Sequence, residues 1–275
     1  MRFEPKTPKE AINYTRENPL REIAIPVLAA TAIAIVVFFS LGQVIEFAVP
    51  RIPPSWEVRV FSGVGRLLNA DGDVSVDPQL QELVNRLAAS WPDCPYVFEI
   101  SIDESPEPNA FAIPGGRILV TRGLLEQAES ENELAFVLAH ELGHFRGRDH
   151  LAAIGRASAF ALLRIGVSSL TGMGVPQGLG WAELLTTSGF SRAQESDADE
   201  FALGLVHAEY GHLGGAFDFF RRNSGDAVGQ GLVGWISTHP ISDDRVATLE
   251  ELGRSRGWSL SGTNRPAIQS NNSNE

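Results

Sequence analysis

The chain has 275 residues, 43% of them hydrophobic, and a formal net charge of −12. That length suffices for one sizeable core with appendages, and that charge speaks against nucleic acid as a partner. Its one cysteine, Cys94, excludes an internal disulfide and a cysteine-rich zinc knuckle.

In chain order the first feature is a basic leader. Residues 1–21 carry five Lys or Arg side chains against three acids. Ile23–Ile45 then runs without a charge, long enough as a helix to cross a hydrocarbon core of about 30 Å. Pro26 sits in the first turn, where its missing N–H costs little. A cleaved signal peptide would have a shorter apolar stretch and a shorter charged start. Fewer basic residues follow the span (Arg51, Arg59, Arg66), which places the N-terminus in the cytoplasm and the rest of the chain across the membrane. The expected organisation is a cytoplasmic segment at 1–21, a transmembrane anchor at 22–46, one domain at 55–258 and a disordered tail at 259–275.

"PRIPPSWE" (Pro50–Glu57) reads as a proline-stiffened exit from the membrane. Asp77-Pro78 opens a helix, with Asp as N-cap and Pro at the first helical position. Leu80, Leu83, Val84 and Leu87 form its apolar stripe, and Pro92–Pro95 breaks it. Tyr96–Asp103 alternates apolar and polar residues, "AFAI" and "RILVT" flank a "PGG" turn, and a small antiparallel sheet is expected. Ser130 with Glu133 matches a capping box and opens a helix through about Phe145. Leu151–Leu185 is apolar and Gly-rich. Arg156, Arg164 and Pro176 interrupt it, favouring buried or amphipathic helices over a second membrane segment. A second capping box, Ser191 with Gln194, opens a helix to about Tyr210. Two more helices are expected near Leu213–Arg222 and Ser242–Arg254. The fold class is α+β, mainly helical.

The chemistry sits on the two capped helices. His140 and His144 are four residues apart, so both imidazoles lie on one face and can converge on one ion. Glu141 points beside the pair and suits a base acting on water better than a ligand. This is the H-E-x-x-H zinc peptidase pattern. Leu138, Ala139, Leu142 and Gly143 surround the pair with apolar or small side chains, which describes a buried site. A catalytic zinc takes three protein ligands. His150, past Gly147, reads as a surface residue. Glu195 is the better third ligand, with Asp199 one turn on to accept the spare N–H of a zinc histidine. Asp197 and Glu200 lie on other faces of the same helix, and His207 and His212 read as structural.

Four blocks carry a resemblance: "NAFAIPGGRILVTRGLL" (Asn109–Leu125), "ELAFVLAHELGHFRGRDH" (Glu133–His150), "SRAQESDADEFAL" (Ser191–Leu203) and "STHPISDDR" (Ser237–Arg245). Together they resemble the HtpX and CAAX prenyl protease family of membrane-associated zinc endopeptidases, which belongs to the gluzincins. The resemblance implies a zincin-like domain and one Zn2+ per chain on His140, His144 and Glu195, with Glu141 as catalytic base and Asp199 behind a ligand histidine. It implies a polypeptide substrate and places Asn109, Ala110, Phe111 and Ala112 at the cleft edge, where a strand can pair with substrate backbone. His239 could stabilise the tetrahedral oxyanion or take the fourth zinc position and block it. Arg245 is expected to pair with a site carboxylate. With one clear span, the chain looks like the single-anchor branch that acts in envelope or organelle quality control, its domain extracytoplasmic. That branch makes prenyl-protein processing a poor expectation. The competing class is a chaperone-like scaffold with a silenced site. The intact Glu141 argues against it, and the oligomeric state is not readable.

Overall fold

The computed structural model describes residues 19–61, 77–156, 189–223, 239 and 243–268. Helix α1 (Pro19–Ala48) opens it. Its segment Leu20–Ile45 is long and apolar enough to cross a membrane, with a mean hydropathy of 2.5 and none of it buried in the protein. A turn of 3-10 helix (Val49–Arg51) leads to the short helix α2 (Pro54–Phe61). Helix α3 (Pro78–Ala89) is capped by Asp77, whose carboxylate accepts from the N–H groups of Gln79 and Leu80. Its stripe Leu80, Leu83, Val84 and Leu87 is fully buried, each leucine contributing about 2 kcal/mol of transfer free energy.

The sheet has three strands, β1 (Glu99–Asp103), β2 (Ala110–Ile113) and β3 (Arg117–Thr121). Their order is β1-β3-β2, with β1 parallel and β2 antiparallel to β3. The expected antiparallel sheet is therefore corrected to a mixed one. Alternation fixes which side chains face the core but not which strands are neighbours. The loop after β1 crosses the end of β3, so β2 lands on its far side. That loop is pinned where Gly123 donates to Ser105 O, and a Cβ on Gly123 would meet Pro106 O at 2.0 Å. Gly115 and Gly116, with φ of 94° and 85°, make the β2–β3 turn. Thr121 closes β3 and caps α4 (Arg122–Gln127).

Helix α5 (Glu131–Gly147) is buried along almost its whole length. Arg148 ends it in the left-handed conformation, and residues 149–156 form the next helix, α6, where Gly155 lies against Ile45 of α1. The rest of the 151–185 stretch lies outside the described residues. Helix α7 (Arg192–Tyr210) starts at a complete Ser191–Gln194 capping box. It packs hard against α5, and a Cβ on Gly143 would sit 2.6 Å from Ala198 Cα. Helix α8 (Asp218–Asn223) is shorter than expected, because Gly211 and Gly215 adopt positive φ ahead of it. Helix α9 (Asp243–Ser255) follows, with Ser242 outside the described residues.

The expected disordered tail at 259–275 is corrected for its first ten residues. Ser259 O accepts from Leu213 N, Arg265 O accepts from Glu131 N, Arg265 N donates to Asn132 Oδ1, and Pro266 bridges to Ser130. Small polar residues suggest disorder, but here the Arg265 carbonyl satisfies the open N–H of Glu131 at the start of α5.

Candidate active site

Capping and close packing bring the site together. Ser130 fixes the start of α5, Ser191 that of α7, and the Gly143–Ala198 contact sets one against the other. His140 and His144 thereby face Glu195 and Asp199. His239, Arg245 and the outer side of β2 complete the enclosure. His140 and His144 are 0% exposed, Glu141 and His239 1%.

Four atoms converge. His140 Nε2 lies 3.0 Å from His144 Nε2 and 3.1 Å from His239 Nδ1, and the last two are 3.4 Å apart. Glu195 Oε1 lies 2.8 Å from His239 Nδ1 and 3.4 Å from His144 Nε2, and its Oε2 is 3.6 Å from His140 Nε2. A tetrahedron of bonds near 2.1 Å has edges of about 3.4 Å. The chemistry of these donors fits a cation. His140 Nδ1 is 2.9 Å from Asp199 Oδ1, and His144 Nδ1 is 2.9 Å from Asp149 Oδ2. With both Nδ1–H groups donated outward, the two Nε2 lone pairs point at each other, unfavourable unless positive charge lies between them. Among the described residues, His140, His144, Glu195 and His239 are the group able to hold a metal ion.

The electrostatics follow from burial and these partners. Burial pushes the His140 imidazole down, against the pull of Asp199. Burial acts the same way on His144, but Asp149 and Glu195 outweigh it and hold its pKa up at about 9, so this imidazole takes a proton where no other cation supplies the positive charge the cluster calls for. His239 is pushed down to about 3 by burial. Burial would raise Glu195 and Asp199, but neighbouring histidines and Arg245 hold both low. Arg245 donates to Asp199 through Nε and Nη2, 2.7 Å each, and lies 2.9 Å from Glu195 Oε2 through Nη1. Glu141 is different. Burial pushes it up to about 8, its Oε1 makes no hydrogen bond, and His239 Nε2 stands 3.6 Å away.

Strand β2 runs beside this cluster. Thr121 N donates to Asn109 O, so by antiparallel alternation Phe111 and Ile113 bond toward β3, while the backbone of Ala110 and Ala112 faces the outer edge. No described strand pairs with that edge. The Ala112 N–H is directed at Glu141. Asn109 turns inward, its Oδ1 accepting from Ala110 N at 2.9 Å.

Other expectations are corrected. His150 is fully buried rather than on the surface, 2.8 Å from Glu57 Oε1 and outside the metal-donor group. The left-handed turn at Arg148 swings it inward. The same turn aims Asp149 at His144, a role the sequence reading missed because Arg148 takes the left-handed conformation without being glycine. Gln194, read only as a cap, also donates to Asp149 Oδ1 at 2.6 Å. Phe190 stacks on His144 with ring centroids 3.9 Å apart. Asp197 and Glu200 are exposed.

A His-Glu-x-x-His helix completed by a Glu-x-x-x-Asp helix defines a gluzincin-type metallopeptidase centre. Residues 75–253 match the model of Peptidase family M48, and the chain belongs to that family. It is 31% identical over 159 residues to the mitochondrial metalloendopeptidase OMA1 of Schizosaccharomyces pombe, 56% of this chain and 46% of that protein. It is 30% identical over 234 residues to a protease HtpX homolog of Burkholderia multivorans, 69% of this chain and 79% of that one. A protease HtpX homolog of Salinibacter ruber is 30% identical over 213 residues, 64% and 74% of the two chains. The chain spans less than half the length of the OMA1 relatives it matches.

Proposed function

We propose that the chain is a membrane-anchored zinc metalloendopeptidase in which Glu141 is the catalytic base and His140, His144 and Glu195 hold the metal. The observation that carries this reading is a buried carboxylate without a hydrogen bond on Oε1, beside a donor cluster whose histidines are backed by carboxylates. When bound, zinc supplies positive charge that polarises the scissile carbonyl, acidifies the attacking water and draws Glu141 toward its ionised form. Glu141 takes the water proton and passes it to the leaving amine. Asp199 and Asp149 fix the tautomers of His140 and His144, and Arg245 orients Asp199. The outer edge of β2 offers the Ala110 and Ala112 carbonyls to the N–H groups of an extended substrate. His239, beside Glu141, donates to the developing oxyanion.

Leu20–Ile45 anchors the domain on the extracytoplasmic side, the periplasmic face of a bacterial inner membrane or the corresponding side of an organelle membrane. The substrates we assign are misfolded or misassembled membrane and envelope proteins, so the role is proteolytic quality control. Purified full-length protein should bind one zinc and cleave casein or a reporter peptide, and Glu141→Gln should keep the zinc and lose cleavage. Equal cleavage by the variant would overturn the assignment of the base. Expressed in its native membrane, the same variant should retain its substrates for identification.

A second reading is a silenced scaffold with His239 as permanent fourth donor. The placement of His239 Nδ1 within 2.8–3.4 Å of the other three donors favours it. Wild-type protein that holds zinc but cleaves nothing, with cleavage restored by His239→Ala, would select it.

A further inference from the structure

Glu57 is a charged residue on the eight-residue helix that follows the membrane-crossing segment, yet its side chain is completely buried. Four groups from three parts of the domain converge on it. Oε1 accepts from Gly115 N at 2.9 Å and lies 2.8 Å from His150 Nε2. Oε2 accepts from Tyr96 Oη at 2.9 Å and from Arg148 Nη2 at 3.0 Å. Arg148 also donates through Nη1 to Ile52 O, a second tie to the same juxtamembrane segment.

The placement of these partners gives the junction its meaning. Gly115 is the turn that ends β2, the strand assigned to substrate. Arg148 and His150 flank Asp149, whose carboxylate is shared between His144 Nδ1 and Gln194 Nε2. His150 Nδ1 also lies 3.3 Å from His144 O. One carboxylate therefore holds the exit from the membrane, the substrate-strand turn and the residues on both sides of the group that orients His144. A buried acid with this many partners fixes them in one arrangement, because leaving any of them unpaired is costly.

We infer that Glu57 is a positioning residue for the peptidase reaction: through Arg148, His150 and Gly115 it sets the orientation of the ligand His144 and the place of β2, and so locks the active site to the membrane-proximal helix. This rests on the zinc-peptidase reading above.

The test uses full-length protein in detergent or liposomes, comparing wild type, Glu57→Gln, His150→Gln, Tyr96→Phe and, as a structural control, Glu133→Gln. Three quantities are measured on folded protein: Tm, kcat and KM for a reporter peptide, and the rate of zinc loss to a chelator. Glu57→Gln should lower kcat/KM about tenfold or more, with both a raised KM and a lowered kcat, and should release zinc several-fold faster. His150→Gln and Tyr96→Phe should move the same readouts in the same direction by smaller factors. Glu133→Gln should lower Tm without changing cleavage or zinc release. If Glu57→Gln does not fold, the two milder variants decide. The inference is overturned if the folded variants keep cleavage and zinc release within about twofold of wild type, or if Glu133→Gln shifts them as much. Failure of the zinc reading itself looks different, because wild type would then hold no zinc and cleave nothing.

Discussion

The two ends of α5 both bury carboxylates, and they treat them oppositely. At the N-terminal end Glu133 is 2% exposed and Arg222 reaches both its oxygens, at 3.0 and 2.6 Å. Glu131 beside it accepts from Arg86, Tyr210 and Arg265. These acids sit where the helix dipole favours negative charge, and each has its cation. Eight residues beyond Glu133, Glu141 is as deeply buried, but among the described residues no arginine or lysine meets it, and burial pushes it up to about 8. A paired buried acid holds elements together. An unpaired one is kept in a high-energy state that a reaction can use.

The largest effect expected from this contrast is on Glu141. Glu141→Gln should lower kcat/KM by about 10³-fold or more. Its Tm should not fall, because burial already disfavours the charge on this carboxyl and the neutral amide keeps its shape without that charge. A fall in Tm as large as that of Glu133→Gln would erase the difference between the two ends.

The next effect is acid-linked and lies at the C-terminal end. Burial would raise Glu57, but His150, Gly115 N and Tyr96 hold it down at about 2, from 4.5. The unfolded chain binds this proton more readily, so the stabilisation is complete above about pH 4.5 and disappears as pH falls toward 2. Wild type should lose about 3 kcal/mol more than Glu57→Gln between about pH 5 and pH 2, read from paired Tm–pH curves. Parallel curves would show that Glu57 is not held ionised.

Asp199→Asn should weaken zinc retention and kcat/KM by about 10–100-fold, since the amide no longer fixes the His140 tautomer. Metal content after dialysis against a chelator reads this directly, and full retention would remove Asp199 from its assigned place. The smallest effect on function belongs to Glu133→Gln, with unchanged cleavage and a stability loss of about 1–3 kcal/mol by thermal melt. Any loss of zinc in that variant would mean the two ends are coupled.

What could be read in advance followed from short-range regularities. The capping residues Ser130 and Ser191 and the four-residue spacings of His140/His144 and Glu195/Asp199 are local patterns, and the helices formed as those patterns require. Glu57 was illegible because its partners lie 39 to 93 residues away, and a proline-rich exit gives no hint that one of its acids turns inward. His150 and Asp149 were misread or missed for one reason. Arg148 adopts φ 60° without being glycine, and nothing in "GRDH" announces that turn. The parallel pairing of β1 was hidden because alternation is identical for either neighbour.

The approach of α5 to α7 at Gly143 and Ala198 has a consequence for sequence variation. There is no room there for even one more methyl group, and helix axes drawn this close carry only the smallest residues at the crossing. A library randomised at positions 143 and 198 and selected for cleavage should return glycine almost alone at the first and only glycine, alanine or serine at the second. Position 204, further along α7 and on a different face, where an added Cβ would meet nothing within 4 Å, should accept larger residues. The narrowest diversity would then fall on two residues that never touch substrate or metal.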